Sequence, residues 1–390
     1  MFKRLIGLVL ASVLLFSFSV CLFGAEVSAG AVGGSIAASG ELNLDAKGAL
    51  LMEAETGTVL YEANSKDRLY PASVTKIMTM LLVMEALDSA SVTEDDLVSA
   101  SENACSYGGT QIYLEIGESM TLRDLLKAVA INSANDAAVA LGEYLAGSEA
   151  AFVAKMNERA AELGAVNTNF VNPCGLPDEN HYTCAYDVAL FTRELLKHPH
   201  ILDYTGIWMD SLRNGGFGLA NTNKLLKTYE GITGMKTGYT EAAGHCLSAT
   251  ATRDGMSLIA VVLGGETSKG RFASAAALLD YGFAGYTVVR RSVGNLADIP
   301  VLRGKSDVVS VEADGNLCVV VKKSKVTQIS LEITVEESLQ APVSVGQVVG
   351  FARYLYEGEE ILSVPVVAVE EVKKAGFFDY FGQFIHRLFS

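Results

Sequence analysis

The sequence predicts an α+β fold in which one antiparallel sheet is assembled from both ends of a long segment, with helices between them. Two observations carry this. Short strand-like runs at residues 49–54 and 57–61 precede a long helical stretch, and three further apolar runs at 234–240, 246–250 and 257–263 follow it. A third observation adds a separate unit. Residues 288–372 hold only short alternating stretches, at 308–311, 318–321, 329–333 and 364–369, with turn residues between them, the pattern of a small all-β domain.

The elements follow in chain order. Lys3 and Arg4 precede an apolar run over 5–23 and small residues at Gly24, Ala25, Val27, Ser28 and Ala29, which reads as a signal peptide over 1–29 cut after Ala25 or Ala29. The alternative is a retained anchor. Cys21 follows Val20, a poor fit to lipid attachment. Cleavage after Ala25 removes two cations and no acid, so the formal charge of −15 becomes −17. So acidic an exported chain has no field for nucleic acid. Residues 30–44 read as a linker, and the first unit spans 45–287.

Within it, residues 49–54 and 57–61 form a hairpin turned at Glu55-Thr56-Gly57. Pro71 suits a first helical turn, so a helix is expected to start just before Ser73 and run through the apolar residues 77–84. Residues 101–120 read as a loop packed near Ser73. Thr121, with Asp124 three residues on, caps a helical pattern over 121–145. That pattern is broken by the polar run Asn132-Ser133-Ala134-Asn135-Asp136, where a site or an inter-helix turn is expected. Helices are expected over 150–164, 187–197 and 271–281.

The final segment, 373–390, places Phe377, Phe378, Phe381, Phe384, Ile385, Leu388 and Phe389 on one helical face. It is too short and polar to span a bilayer, but it suits a membrane interface. Docking on the β unit is the alternative.

Ser73 and Lys76 lie three residues apart, on one side of a helix, so hydroxyl and amine can meet. A serine needs a base, and a lysine serves only when its pKa is lowered. Two more short motifs follow, Ser133-Ala134-Asn135 and Lys236-Thr237-Gly238, the first 60 and the second 163 residues after Ser73. Each is common alone. The ordered set, on a helix start, a polar turn and a strand, is specific.

On these motifs the chain resembles the D-alanyl-D-alanine carboxypeptidases, low-molecular-mass penicillin-binding proteins of the serine peptidase class that include the sporulation-type enzymes. Further matching stretches are 108–114, 133–138, 151–157, 172–176 and His181-Tyr182. The resemblance implies a penicillin-binding, β-lactamase-like transpeptidase domain over 45–287. It also implies the β-rich domain over 288–372 and the membrane-associating helix over 373–390. The implied substrate is a peptidoglycan stem peptide ending in D-Ala-D-Ala, with β-lactams as covalent inhibitors and the outer face of the cell membrane as the site of attachment.

The same resemblance implies roles. Ser73 is the nucleophile, Lys76 its base and Ser133 a proton relay; Asn135 holds the acyl side of the substrate. Lys236, Thr237 and Gly238 with Arg271 form the carboxylate side, Lys236 also keeping Lys76 neutral by repulsion. The N–H groups of Ser73 and Tyr239 form the oxyanion hole. Arg271 reads equally well as a surface residue at a helix start.

A Ser-His-Asp set of Ser73, His181 and Asp187 has the right residue types, but the lysine-based set explains Ser73 more fully. Five histidines with no His-x-x-x-His argue against a metal site, and no cofactor is expected. Cys174 and Cys184 either bridge a loop or are separate buried thiols. Two rival functions remain. A serine β-lactamase of class A uses a glutamate on a loop about 35 residues past the second motif, and here residues 167–172 hold no acid. A non-catalytic peptidoglycan-binding relic is expected to have lost a motif residue, and all are present.

Overall fold

A computed structural model describes residues 42–290, 296–377 and 379. The signal-peptide reading, most of the linker and residues 378 and 380–390 of the terminal amphipathic segment lie outside these residues. Among the described residues no helix is long and apolar enough to cross a membrane.

Five antiparallel strands form the central sheet, in the order Val59–Ala63, Gly48–Glu53, Met256–Gly265, Gly244–Arg253 and Ile232–Thr240. The first two come from the start of the unit and the last three from its end. Side chains alternate across the strands. Ala49, Leu51, Leu258, Ala260 and Val262 meet the helix Ser268–Gly285 on one face, while Leu50, Met52, Ile259, Val261 and Leu263 meet the helical layer on the other. Both faces are covered, which is why these strands read as unbroken apolar runs.

The helical layer is built around Lys76–Asp88, which is buried over most of its length and packs against Asn135–Ala146, Glu149–Glu162 and Ala185–Leu195. Its start differs from the expectation. Ala72–Thr75 is a 3-10 turn with Ala72 at φ 48°, and the α-helix proper begins at Lys76. The Thr121 cap forms, its Oγ1 accepting from the Asp124 N–H at 3.1 Å. The helix Leu122–Lys127 passes into a π-turn over Ala128–Asn132 and stops at Ser133, whose φ of 65° is left-handed. The last helix, Ser268–Gly285, starts three residues before Arg271 and is longer than expected, because Thr267 caps it, its Oγ1 accepting from the Gly270 N–H at 2.8 Å. Two short hairpins were not legible, Leu97–Ser99 with Ser119–Thr121 and Met209–Leu212 with Phe217–Ala220.

Beyond the central sheet lies an all-β core. A sheet of Val311–Ala313, Glu359–Ala368, Val348–Tyr356 and Ile329–Val335 and a smaller one of Val308–Val309, Ile299–Leu302 and Leu339–Gln340 enclose Val309, Val343, Val349, Ala352, Tyr354 and Val366. The stretch 308–311 is not one strand. Val308–Val309 and Val311–Ala313 join different sheets, so the chain turns a corner at Ser310.

Candidate active site

Ser73 sits on the 3-10 turn, and Lys76 one turn later points inward, fully buried, with Nζ 3.0 Å from Ser73 Oγ. Two other groups hold the amine: Asn135 Oδ1 at 2.7 Å and the Cys174 carbonyl at 2.8 Å. The Asn135 amide is fixed the right way round, because its Nδ2 donates to the Gly108 carbonyl at 2.7 Å.

This arrangement decides where a lone pair would point. Both Asn135 Oδ1 and the Cys174 carbonyl accept only, so each needs an N–H from Lys76. A neutral amine has two, and they are used there. Its lone pair then faces Ser73 Oγ, which of the three is the one group able to donate. Burial pulls the Lys76 pKa down to about 8, against the opposing fields of Cys174 and Asp136. About one molecule in ten then carries the free amine at pH 7.

The neighbouring backbone is built for this contact. Asn172 Oδ1 gathers the N–H groups of Gly175 at 2.7 Å, Leu176 at 3.1 Å and Cys174 at 3.2 Å, and Thr79 Oγ1 donates to the Pro173 carbonyl at 2.6 Å. Gly175, at φ 86°, lies against the Ser73 turn so closely that a Cβ there would be 1.8 Å from the Ala72 carbonyl oxygen. On the other side the strand Ile232–Thr240 passes over Ser73, and a Cβ on Gly238 would lie 2.9 Å from the Ser73 nitrogen. That strand is the edge of the sheet, so its outward backbone groups are left to an extended ligand.

The same strand buries Lys236. Its Nζ donates to the Thr237 carbonyl at 3.0 Å, and burial first, then Lys76 and Arg271, push its pKa well down. At Lys76 burial alone lowers the pKa, against the expectation that Lys236 keeps it neutral by repulsion; at Lys236 burial comes first and the charges of Lys76 and Arg271 add to it. Arg271 is not a surface residue. It is buried, and its Nη1 donates to the carbonyls of Gly238 at 2.7 Å and Cys246 at 3.2 Å, while its Nε has no partner. Among the described residues no carboxylate forms an ion pair with Lys76, Lys236 or Arg271. Lys236 and Arg271, buried without a carboxylate partner, make a place for an anion. Thr237 Oγ1 shares a 2.6 Å hydrogen bond with Thr222 Oγ1, and Tyr239, 59% exposed, stacks on His245 with centroids 4.4 Å apart.

Ser133 is buried at the left-handed turn two residues before Asn135. The loop facing it is held by a residue the sequence reading overlooked. Asp136 accepts from the N–H groups of Ile112 at 3.1 Å and Leu114 at 3.1 Å, and the Thr110 carbonyl accepts from the Asn135 N–H at 2.7 Å. An acid in a first helical turn was the available signal. The Cys174 carbonyl had none, because a backbone contact leaves no side-chain signature.

The Ser-His-Asp alternative does not assemble. His181 Nδ1 accepts from the Val171 N–H at 3.2 Å, so its proton is on Nε2, 2.9 Å from Thr75 Oγ1. Burial lowers its pKa to about 4. Asp187 instead accepts from the Asn167 N–H and the Thr168 hydroxyl, both at 2.8 Å. Cys174 and Cys184 are separate buried thiols.

Residues 35–267 match the family model described as D-alanyl-D-alanine carboxypeptidase, and residues 288–374 match that of the penicillin-binding protein 5 C-terminal domain. The chain is 42% identical to the D-alanyl-D-alanine carboxypeptidase DacF of Bacillus subtilis over 97% of both chains. It is 33% identical to DacA of Escherichia coli over 89% of both. Among solved structures, penicillin-binding protein 5 from Haemophilus influenzae superposes with a TM-score of 0.77 at 30% identity, covering 86% of this chain and 100% of that one. Penicillin-binding protein D2 from Listeria monocytogenes, in its ampicillin-bound form, gives 0.58 at 33% identity over 63% of this chain and 100% of that one.

Proposed function

The chain belongs to the D-alanyl-D-alanine carboxypeptidase family, and from that premise we propose how its residues perform the reaction. It is a serine-type D-Ala-D-Ala carboxypeptidase that removes the terminal D-alanine of peptidoglycan stem peptides and is acylated by β-lactams. The observation that carries the mechanism is the donor count at Lys76, which leaves a neutral amine's lone pair to Ser73.

The substrate lies along the edge strand Ile232–Thr240, adding its backbone to the sheet. Its terminal carboxylate sits by Lys236, Thr237 and Arg271, where buried positive charge has no counter-ion. Ser73 Oγ attacks the penultimate carbonyl as Lys76 takes the hydroxyl proton. The oxyanion is received by the N–H groups of Ser73 and Tyr239, which Gly238 allows to lie close together. The C–N bond then breaks, and the leaving nitrogen takes that proton by way of Ser133 while Asn135 holds the acyl side. Water hydrolyses the ester and frees Ser73.

A penicillin adduct should be long-lived. Residues 167–172 carry no acid, and Asp187 beneath them is committed to Asn167 and Thr168. Release of D-alanine from a peptide ending in D-Ala-D-Ala is the direct test: Ser73→Ala should abolish it, and retained activity would refute the assignment.

The sequence supports an exported protein with a signal peptide over 1–29, a linker over 30–44, a catalytic domain over 45–287, a β-rich domain over 288–372 and an amphipathic segment over 373–390 that attaches to the outer membrane face. Truncation after residue 374 should release the protein from membranes. A truncated chain that still sediments with them would count against that attachment.

A further inference from the structure

A substrate carboxylate does not account for the contacts that Arg271 makes within the protein. Its Nη1 carries two N–H groups and gives them to two main-chain carbonyls, Gly238 at 2.7 Å and Cys246 at 3.2 Å. Those residues are partners across the strands Ile232–Thr240 and Gly244–Arg253. The Gly238 carbonyl therefore faces its neighbour strand. The Gly238–Tyr239 peptide is trans, so the Tyr239 N–H points the opposite way, over the open edge of the sheet. Ser73 lies on that side, its nitrogen 2.9 Å from where a Gly238 Cβ would be. One peptide unit thus has a buried cation on its oxygen and, on its nitrogen, a donor of the oxyanion hole.

The cation is held from the other end of the domain. Arg271 stands in the first turn of the helix Ser268–Gly285, and Asp45, just after the linker, fixes that turn. The Asp45 carboxylate accepts from the N–H groups of Glu266 at 2.6 Å and Thr267 at 3.1 Å and from the Thr267 hydroxyl at 3.0 Å. The same hydroxyl accepts from the Gly270 N–H at 2.8 Å, and the Asp45 N–H donates to Ser274 Oγ at 2.8 Å. Asp45 lies so close that a Cβ on Gly270 would be 1.7 Å from its Oδ2.

We propose that Arg271 is a positioning residue for the oxyanion hole, clamping and polarising the Gly238–Tyr239 peptide, and that Asp45 holds the helix turn from which it does so. A charge-assisted hydrogen bond to the carbonyl draws electrons toward that oxygen and makes the N–H of the same peptide a stronger donor. It also fixes where that N–H points before the reaction starts. This rests on the carboxypeptidase reading and deepens it.

The test uses N-acetyl-D-boroalanine, in which a boronic acid stands in place of the scissile carbonyl and the D-alanine beyond it, so no carboxylate is present. Ser73 Oγ bonds to boron while Lys76 takes its proton, no bond to boron breaks, and one oxygen of the tetrahedral boronate enters the oxyanion hole. Arg271→Ala should raise the inhibition constant about tenfold, a part of the hundredfold or more that loss of a whole oxyanion donor costs. Arg271→Lys, which keeps a cationic donor, should recover most of that loss. Asp45→Ala, in contact with no reacting group, should raise it about threefold, and Asp45→Asn, whose amide oxygen still caps the turn, should raise it less. Thermal midpoints show which variants are folded, and if Arg271→Ala is not, Asp45→Ala carries the same comparison. Boronate affinity unchanged in the folded variants, with KM for a free-acid peptide raised in Arg271→Ala, would overturn the proposal and leave Arg271 to the substrate carboxylate alone. Failure of the wild type to release D-alanine from a peptide ending in D-Ala-D-Ala would instead strike the carboxypeptidase reading.

Discussion

The two cores of this molecule are built on opposite terms. Among the described residues, every buried charged or polar side chain lies between Glu53 and Ser274, including Lys76, Asp136, His181, Lys236 and Arg271; the core beyond Tyr286 is apolar throughout. Burying a charge costs several kcal/mol unless it is compensated. The first core bears that cost at the place where an amine must lose its proton and an anion must bind, and the second has no such demand. Buried charge therefore marks the chemistry, and an apolar core marks a support.

The largest effect is expected at Lys76. Lys76→Ala should slow acylation by a labelled penicillin about a thousandfold or more, because among the described residues Lys76 Nζ is the base hydrogen-bonded to Ser73 Oγ. Stopped-flow or gel labelling reads this, and a loss of less than tenfold would mean that another base serves. A smaller loss is expected from a residue with no side chain. Gly175→Ala should drive a Cβ into the Ala72 carbonyl, displacing the Ser73 turn, slowing acylation about a hundredfold and costing about 3 kcal/mol in stability.

The two cores should also part in acid. His181 is held near 4 in the folded state against 6.5 for the free group, so the unfolded chain binds its proton first. Stability is whole above pH 6.5 and is lost as pH falls toward 4, by about 3 kcal/mol. Thermal midpoints across that range should slope less steeply in His181→Gln. The smallest effect belongs to the apolar core. Val366→Ala, fully buried there, should cost about 2 kcal/mol and leave kcat/KM unchanged; a parallel loss of activity would show that the second core does more than support.

How much of this was legible follows from where each contact lives. Ser73 and Lys76 were readable because a helix converts a spacing of three into contact, although the first turn proved to be 3-10. Lys236-Thr237-Gly238 was readable as a motif on a strand, while its approach to the Ser73 nitrogen depends on backbone packing. Asp136 and the Cys174 carbonyl escaped because one acts on a distant loop and the other is main chain. The hairpin of Phe217 escaped too, being only four residues per strand with Gly215 and Gly216 at its turn.

Ser73 is the nucleophile in this mechanism. Incubation of the full chain with benzylpenicillin, followed by proteolysis and mass spectrometry, should find the penicilloyl mass on the peptide that contains Ser73, at that residue. An adduct on any other side chain, or none on an active protein, would contradict it.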